Sequence, residues 1–169
     1  NKNVLLLGVD KIGFSFYDKK VGKNTGYKEI SKYNELFKQW PGNVQFIFKH
    51  PSKKELWFGT QFGGLIICQL KDREISSCQY YLHHLGKTKI GSCINSIISD
   101  KDGNIWIGSD EELNIITTNN DTLSYDTYNR IQCIYQDHTG TVWLGTSLMG
   151  YTVWHQDPMC INCLLKLIT

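Results

Sequence analysis

The chain is 169 residues long, 41% hydrophobic and 20% charged, with a formal net charge of +2. That is the length of one ordinary domain and the composition of a globular one, which excludes a disordered chain and gives no general attraction to nucleic acid. No apolar run reaches the roughly 18 residues of a membrane span, and the opening Asn1-Lys2-Asn3-Val4 has no signal-peptide anatomy.

Taken in order, residues 4–7 and 14–17 predict two strands joined across Asp10 and Gly13. Residues 19–26 read as a polar turn region. Lys19, Lys20, Lys23, Lys28 and Lys32 lie in or beside it, diluted by Asp18 and Glu29, and read as a solvated loop. Residues 33–40 predict a helical turn or two with Leu36, Phe37 and Trp40 on one side, stopped by Pro41-Gly42. Strands follow at 44–48, 56–58 and 65–70, with 75–83 as a fourth and 82–91 as a connection. The next set is 94–98, 105–107 and 113–117, a turn at Asn119-Asn120-Asp121, and a shortened outer strand over 122–128. The last is 131–135, 142–144 and 151–155, ended by Pro158 and followed by an apolar tail over 159–169.

One phrase organises this succession. It occurs as Trp57-Phe58-Gly59-Thr60, Trp106-Ile107-Gly108-Ser109 and Trp143-Leu144-Gly145-Thr146, with a degraded copy at Leu6-Leu7-Gly8-Val9. Successive glycines are 51, 49 and 37 residues apart, which suits a unit of about three to four short strands rather than a helical pair. Ahead of each tryptophan lies an apolar pair: Val44 and Ile47, Ile94 and Ile97, Ile131 and Ile134. Between pair and tryptophan, Asp100-Lys101-Asp102-Gly103-Asn104 and Asp137-His138-Thr139-Gly140-Thr141 read as tight turns. The first full unit has His50-Pro51-Ser52-Lys53-Lys54-Glu55 instead. Beyond the phrase, Gly13, Gly64 and Gly150 recur in step, and Leu113 breaks the rule. The repeat units fall at about 1–40, 41–90, 91–129 and 130–158 of a single fragment spanning 1–169. Because the first lacks a leading strand and turn, the sequence reads as part of something longer.

Small antiparallel sheets with two apolar faces are stable when packed radially, which buries the faces and leaves short edges. Trp57, Trp106 and Trp143 are then fillers between sheets, and Gly59, Gly108 and Gly145 permit close approach or a bulge. Of Cys68, Cys78, Cys93, Cys133, Cys160 and Cys163, four lie in or beside apolar runs, and the lone Cys160-x-x-Cys163 lacks a second pair for zinc. Burial or a disulfide is therefore expected, and no metal.

The stretches Ile94-Asn-Ser-Ile-Ile-Ser-Asp-Lys-Asp-Gly-Asn-Ile-Trp-Ile-Gly-Ser109 and Leu56-Trp-Phe-Gly-Thr-Gln-Phe-Gly-Gly-Leu65 resemble the two-component regulator propeller repeat. Residues 131–151 give a third match, with Met149-Gly150 for Gly-Gly, and residues 4–18 match its second half. The resemblance implies an all-β fold of β-propeller-type blades of about four antiparallel strands, a partial propeller of three blades plus part of a fourth. It also implies a periplasmic or other extracytoplasmic sensor region of a Bacteroidetes hybrid two-component system. In such proteins neighbouring propeller and immunoglobulin-like domains, a membrane helix and a histidine kinase accompany the repeats, and oligosaccharides are sensed. Glu112-Leu113 and Pro51 depart from the pattern.

No phosphate-binding glycine loop, dinucleotide fingerprint or zinc-protease motif is present. Asp100 and Asp102 alternate within a turn that has a structural task, so they do not read as a glycosidase pair, and Asp102-x-Asn104 lacks the calcium-loop register. His83-His84 reads as a loop doublet. Neither a catalytic residue nor a cofactor is expected. The loops after the tryptophan strands would display Gln61-Phe62, Asp110-Glu111 and Ser147-Leu148 at one end, with Trp40 and Lys87 on the approaches. Aromatic faces beside amides and carboxylates suit carbohydrate, so Trp40, Gln61, Phe62, Asp110 and Glu111 are the expected ligand contacts. The alternative is a non-catalytic structural or dimerisation module. Neither nucleic acid nor membrane is an expected partner of this fragment.

Overall fold

The computed structural model describes residues 3–9, 13–30, 33, 37, 43–72, 74–81, 84, 85, 88, 89, 91–147 and 150–154. The chain divides into two compact units, Asn1–Ile94 and Asn95–Thr169.

The first unit begins with an antiparallel sheet ordered β1-β2-β3, from β1 (Val4–Val9), β2 (Gly13–Asp18) and β3 (Lys23–Gly26). β3 corrects the sequence reading: residues 23–26, expected to be turn, pair with β2 from Ser15↔Gly26 to Asp18↔Lys23. The tip is confined to residues 19–22, where the Asp18 carboxylate accepts from the Lys20 amide at 2.7 Å and Gly22 takes φ 66°. A short 3-10 turn, Tyr27–Glu29, closes the sheet. A sheet ordered β4-β5-β6-β7 follows, from β4 (Val44–Lys49), β5 (Glu55–Thr60), β6 (Leu65–Lys71) and β7 (Glu74–Tyr81). Two-residue strands β8 (His84–Leu85) and β9 (Thr88–Lys89) pair within the expected connection.

Alternation explains the core. Phe14, Phe58, Ile66, Cys68 and Ile75 alternate inward and pack with Tyr27, Tyr33 and Phe37. Phe14 is central, with Tyr27, Phe37 and Phe58 ring centroids at 4.9, 5.0 and 5.2 Å. Of the turn expected over 33–40, Tyr33 and Phe37 are described. The Phe37 amide donates to the Tyr33 carbonyl at 2.9 Å, a helical i to i−4 bond, and both rings are buried. Trp40 and Leu36 lie outside the described residues. Cys68 and Cys78, directly paired across β6 and β7, form a disulfide.

The second unit repeats the plan. β10 (Ile94–Ser99), β11 (Ile105–Ser109), β12 (Glu112–Ile116) and β13 (Thr122–Asp126) form one sheet in that order. β14 (Ile131–Gln136), β15 (Val142–Thr146) and β16 (Gly150–Trp154) form the next. Their core joins Trp106, Leu113 and Ile115 to Ile131, Ile134, Val142 and Leu144.

The sheets approach at the repeated glycine. A Cβ on Gly108 would lie 2.6 Å from Ile131 Cγ2 and 3.1 Å from Ile134 Cδ1. One on Gly8 would meet Val44 at 3.2 Å. At both places the leading apolar residue of one sheet thus seats on the glycine of the preceding sheet. A register shift sits opposite the phrase glycine as well, between Val44 and Phe46 and between Ile131 and Cys133. This bulge turns the leading strand. Gly145 differs, since its missing Cβ faces Cys133 Sγ of its own sheet.

Gly108→Ala should therefore lower stability by about 1–3 kcal/mol, the usual penalty of overpacking. Combined with Ile131→Ala, which removes the facing methyl, the loss should fall short of the sum of the two single losses. Urea midpoints of the three variants measure both.

Candidate functional site

Each tryptophan strand has two ends with different chemistry. At its start, the turn carboxylate binds its own loop and the tryptophan together. Asp100 Oδ1 accepts from the amides of Asp102 at 3.0 Å and Asn104 at 2.8 Å, while Oδ2 accepts from the Trp106 indole at 2.8 Å. Asp137 repeats this with the amides of Thr139 and Thr141 and the Trp143 indole at 2.8 Å. The Thr139 hydroxyl and then the Trp143 indole hold the Asp137 carboxyl well below the ordinary carboxylate range, against a smaller opposing effect of burial. Asp100 is thus committed to the turn, as its place in the sequence suggested.

In the first full unit the same tasks are divided. His50 Nδ1 accepts from the amides of Lys53 at 3.1 Å and Ser52 at 3.3 Å, so the turn is capped by a neutral imidazole. The Trp57 indole donates instead to Glu55 Oε2 at 2.8 Å, whose other oxygen accepts from Gln69 at 3.0 Å. Burial, then the Lys53 charge, lowers the His50 pKa, opposed by Glu55. Burial alone would raise Glu55, but the Gln69 and Trp57 bonds and the Lys53 and His50 charges leave it lowered.

The far end of the same strand carries the candidate ligand contacts. In the first unit the Thr60 hydroxyl closes the loop by donating to Gly64 O at 2.9 Å and accepting from the Gly63 amide at 2.9 Å. Gln61 accepts at 2.8 Å from Asn43, and its amide donates to Asn43 O at 3.0 Å. Cys93 Sγ donates to Gln61 O, and the Gly64 amide to Ser92 O at 2.9 Å. Phe62 stands out at the tip, 70% exposed.

In the second unit Ser109 takes the part of Thr60, donating to Glu112 O at 2.9 Å. Gly108 pairs with Leu113 where Gly59 pairs with Leu65, so the loop is one residue shorter and dispenses with the expected Gly-Gly. Arg130 grips Asp110 through Nε at 2.8 Å and Nη2 at 3.0 Å, and Asn95 donates to the same carboxylate at 3.0 Å. The loop leading into β14 is tied at both sides: the Thr127 amide donates to Glu111 O at 2.9 Å, and the Ser147 amide to Arg130 O at 3.1 Å. Between these ties, Tyr128 is 88% exposed with φ 55°.

Of the expected contacts, Gln61 is engaged by Asn43 and Asp110 by Arg130 and Asn95. Phe62 and exposed Glu111 sit on loop tips. Trp40, Lys87 and Leu148 lie outside the described residues. Sequence reasoning missed Asn43, Asn95, Tyr128 and Arg130. The signal available was that polar Asn43, Asn95 and Arg130 each stand at the start of a leading strand, beside the apolar pair.

Residues 88–111 and 126–147 match the two component regulator propeller family. The extracellular domain of a protein described as a hybrid two component system, BT3049 of B. thetaiotaomicron, superposes with a TM-score of 0.68 at 23% identity, over 91% of this chain and 19% of that one. The extracellular domain described for BT4673 of the same organism gives 0.66 at 21% identity, over 92% and 20%. The WD40 β-propeller domain of Doa1 gives 0.63 at 10% identity, over 92% and 48%. No curated protein matches. The chain spans about a fifth of the length of the two B. thetaiotaomicron chains. Its fold is that of β-propeller blades, as the repeat implied.

Asp100→Ala should lower stability by about 1–3 kcal/mol for the buried indole N–H of Trp106 that it orphans, with a further loss from the turn amides; urea denaturation reads it. The lowered His50 pKa favours the neutral ring in the folded chain. Its contribution is therefore complete above the ordinary value of 6.5 and is lost as pH falls below that toward the folded value. Stability of the chain between pH 7.5 and 5, each an about-neutral to mildly acid buffer, should fall more steeply than that of His50→Asp.

Proposed function

We propose that this chain is part of the extracytoplasmic sensor region of a hybrid two-component histidine kinase. Its loop ends recognise an oligosaccharide, and the contact is passed to a downstream kinase. The observation that carries the reading is the pairing of two-component regulator propeller repeats with pinned loop ends. The loop ends carry the exposed Phe62 in the first unit, and in the second the exposed Tyr128 and the Asp110 carboxylate with its Asn95 amide and Arg130 guanidinium. Sugars are bound by that mixture, with rings against C–H faces and planar polar groups against hydroxyls. In this reading Gln61 and Phe62 serve in the first unit and Asp110 and Glu111 in the second, with Trp40 as an approach. The chain itself acts without catalysis.

The Cys68–Cys78 disulfide supports an oxidising compartment. So does the likeness to chains described as extracellular domains. Among the described residues no helix is long and apolar enough to cross a membrane. A second reading, an interaction module that forms homodimers or abuts neighbouring propeller or immunoglobulin-like domains, draws on Leu5 and Leu7, 41% and 38% exposed on β1.

A glycan array followed by calorimetry tests the proposal. Saturable binding of an oligosaccharide is expected, weakened about tenfold or more by Phe62→Ala or Asp110→Ala. Failure to bind any glycan, together with a concentration-dependent dimer in sedimentation, would replace sensing by the interaction role.

A further inference from the structure

We propose that Tyr128, with Asp110, Arg130 and Asn95, forms a sugar subsite on the second unit suited to a neutral pyranose and not to a uronic acid. The proposal rests on the oligosaccharide reading above and adds to it the stacking residue and the charge class of the ligand.

The backbone supplies the first observation. Among the described residues, three non-glycine residues take the left-handed conformation: Asp72 at φ 51°, Asn120 at φ 64° and Tyr128 at φ 55°. Asp and Asn are the types that tolerate it, through short side chains that bond locally. A bulky aromatic residue there is an outlier. The residue is 88% exposed, so core packing does not compensate for the strained position. Glycine would fit the turn better. Strain retained at an exposed residue points to use of the side chain, and an uncovered aromatic face is the surface on which the C–H face of a pyranose stacks.

The second observation is the polar group beside it. Two residues along the same loop, the Arg130 guanidinium is fixed in a two-pronged grip on Asp110, itself held by Asn95. The loop is tied down on either side of Tyr128 through Thr127 and Arg130. Half of the Arg130 side chain remains exposed, leaving guanidinium hydrogens to donate to sugar hydroxyls from a preorganised plane. Asp110, Glu111 and Asp126 lie along the two loops that meet here and Arg130 is their one cation, so the formal charge of these segments is negative and repels a carboxylated sugar.

Calorimetry of the 169-residue chain with neutral gluco-, manno-, xylo- and galacto-tetraoses and with tetragalacturonate tests this. Expected are binding of a neutral tetraose, no binding of tetragalacturonate, and about tenfold or greater weakening in Tyr128→Gly, with a urea midpoint unchanged or raised. Loss of binding in Phe62→Ala but not in Tyr128→Gly would overturn the subsite and leave the sensing proposal standing. Tighter binding of tetragalacturonate would overturn the charge assignment. Absence of binding to every sugar by the unaltered chain would remove the sensing proposal and the subsite with it.

Discussion

In the units led by β10 and β14, the hydrogen bond from the tryptophan indole to the carboxylate of the preceding turn holds turn and strand in register. One carboxylate oxygen satisfies the turn amides and the other the indole, so turn closure and side-chain orientation are a single event. A buried indole N–H without an acceptor is costly, which leaves few rotamers open to Trp106. Once the ring is fixed, the glycine two residues on is fixed in phase, and in the second unit Ile131 and Ile134 settle against it. Turn, filler and close approach thus follow from one bond geometry, which is why they recur as one phrase.

The first full unit shows that the constraint lies on functional groups and not on residue types. His50 provides the acceptor for the turn amides, and Glu55 provides the acceptor for Trp57. Dividing the two tasks exchanges a permanently ionised cap for one that works only while neutral. The His50 cap is lost where its imidazole takes a proton, below the ordinary imidazole value, whereas the bonds to Asp137 hold that carboxylate ionised.

Strands and turns were legible because their signals are local. Period-two alternation, Asp-x-x-Gly turns and the Trp-x-Gly phrase each lie within a dozen residues. Residues 23–26 read as turn in the sequence because an outer strand of Lys, Asn, Thr and Gly has no apolar face to announce it; pairing with β2 forms it. The Cys68–Cys78 bridge depends on cross-strand register, which spacing alone does not fix. The site was less legible than the scaffold. Asp110 and Glu111 could be placed at a loop end from the strand order. Their partner Arg130 lies 20 residues away along the chain and is brought in by the return of β13 into β14. Tyr128 carried no signal, since its significance is a backbone angle.

The two ends of β11 divide the labour of the unit. Asp100 at the start is buried and saturated with bonds from its own turn and tryptophan, so any change there is felt in stability. Asp110 at the finish is held from outside its strand, by Asn95 and Arg130. Between Ser109 and Glu112 the loop has even lost a residue relative to Thr60–Gly64 without losing its hydroxyl clasp. An end that tolerates deletion while keeping its backbone pinned can vary its side chains at small cost to the fold. A rigid scaffold with a permissive rim is the arrangement that recognition requires. It explains why the repeat is strict in Trp and Gly and loose in the residues that follow them.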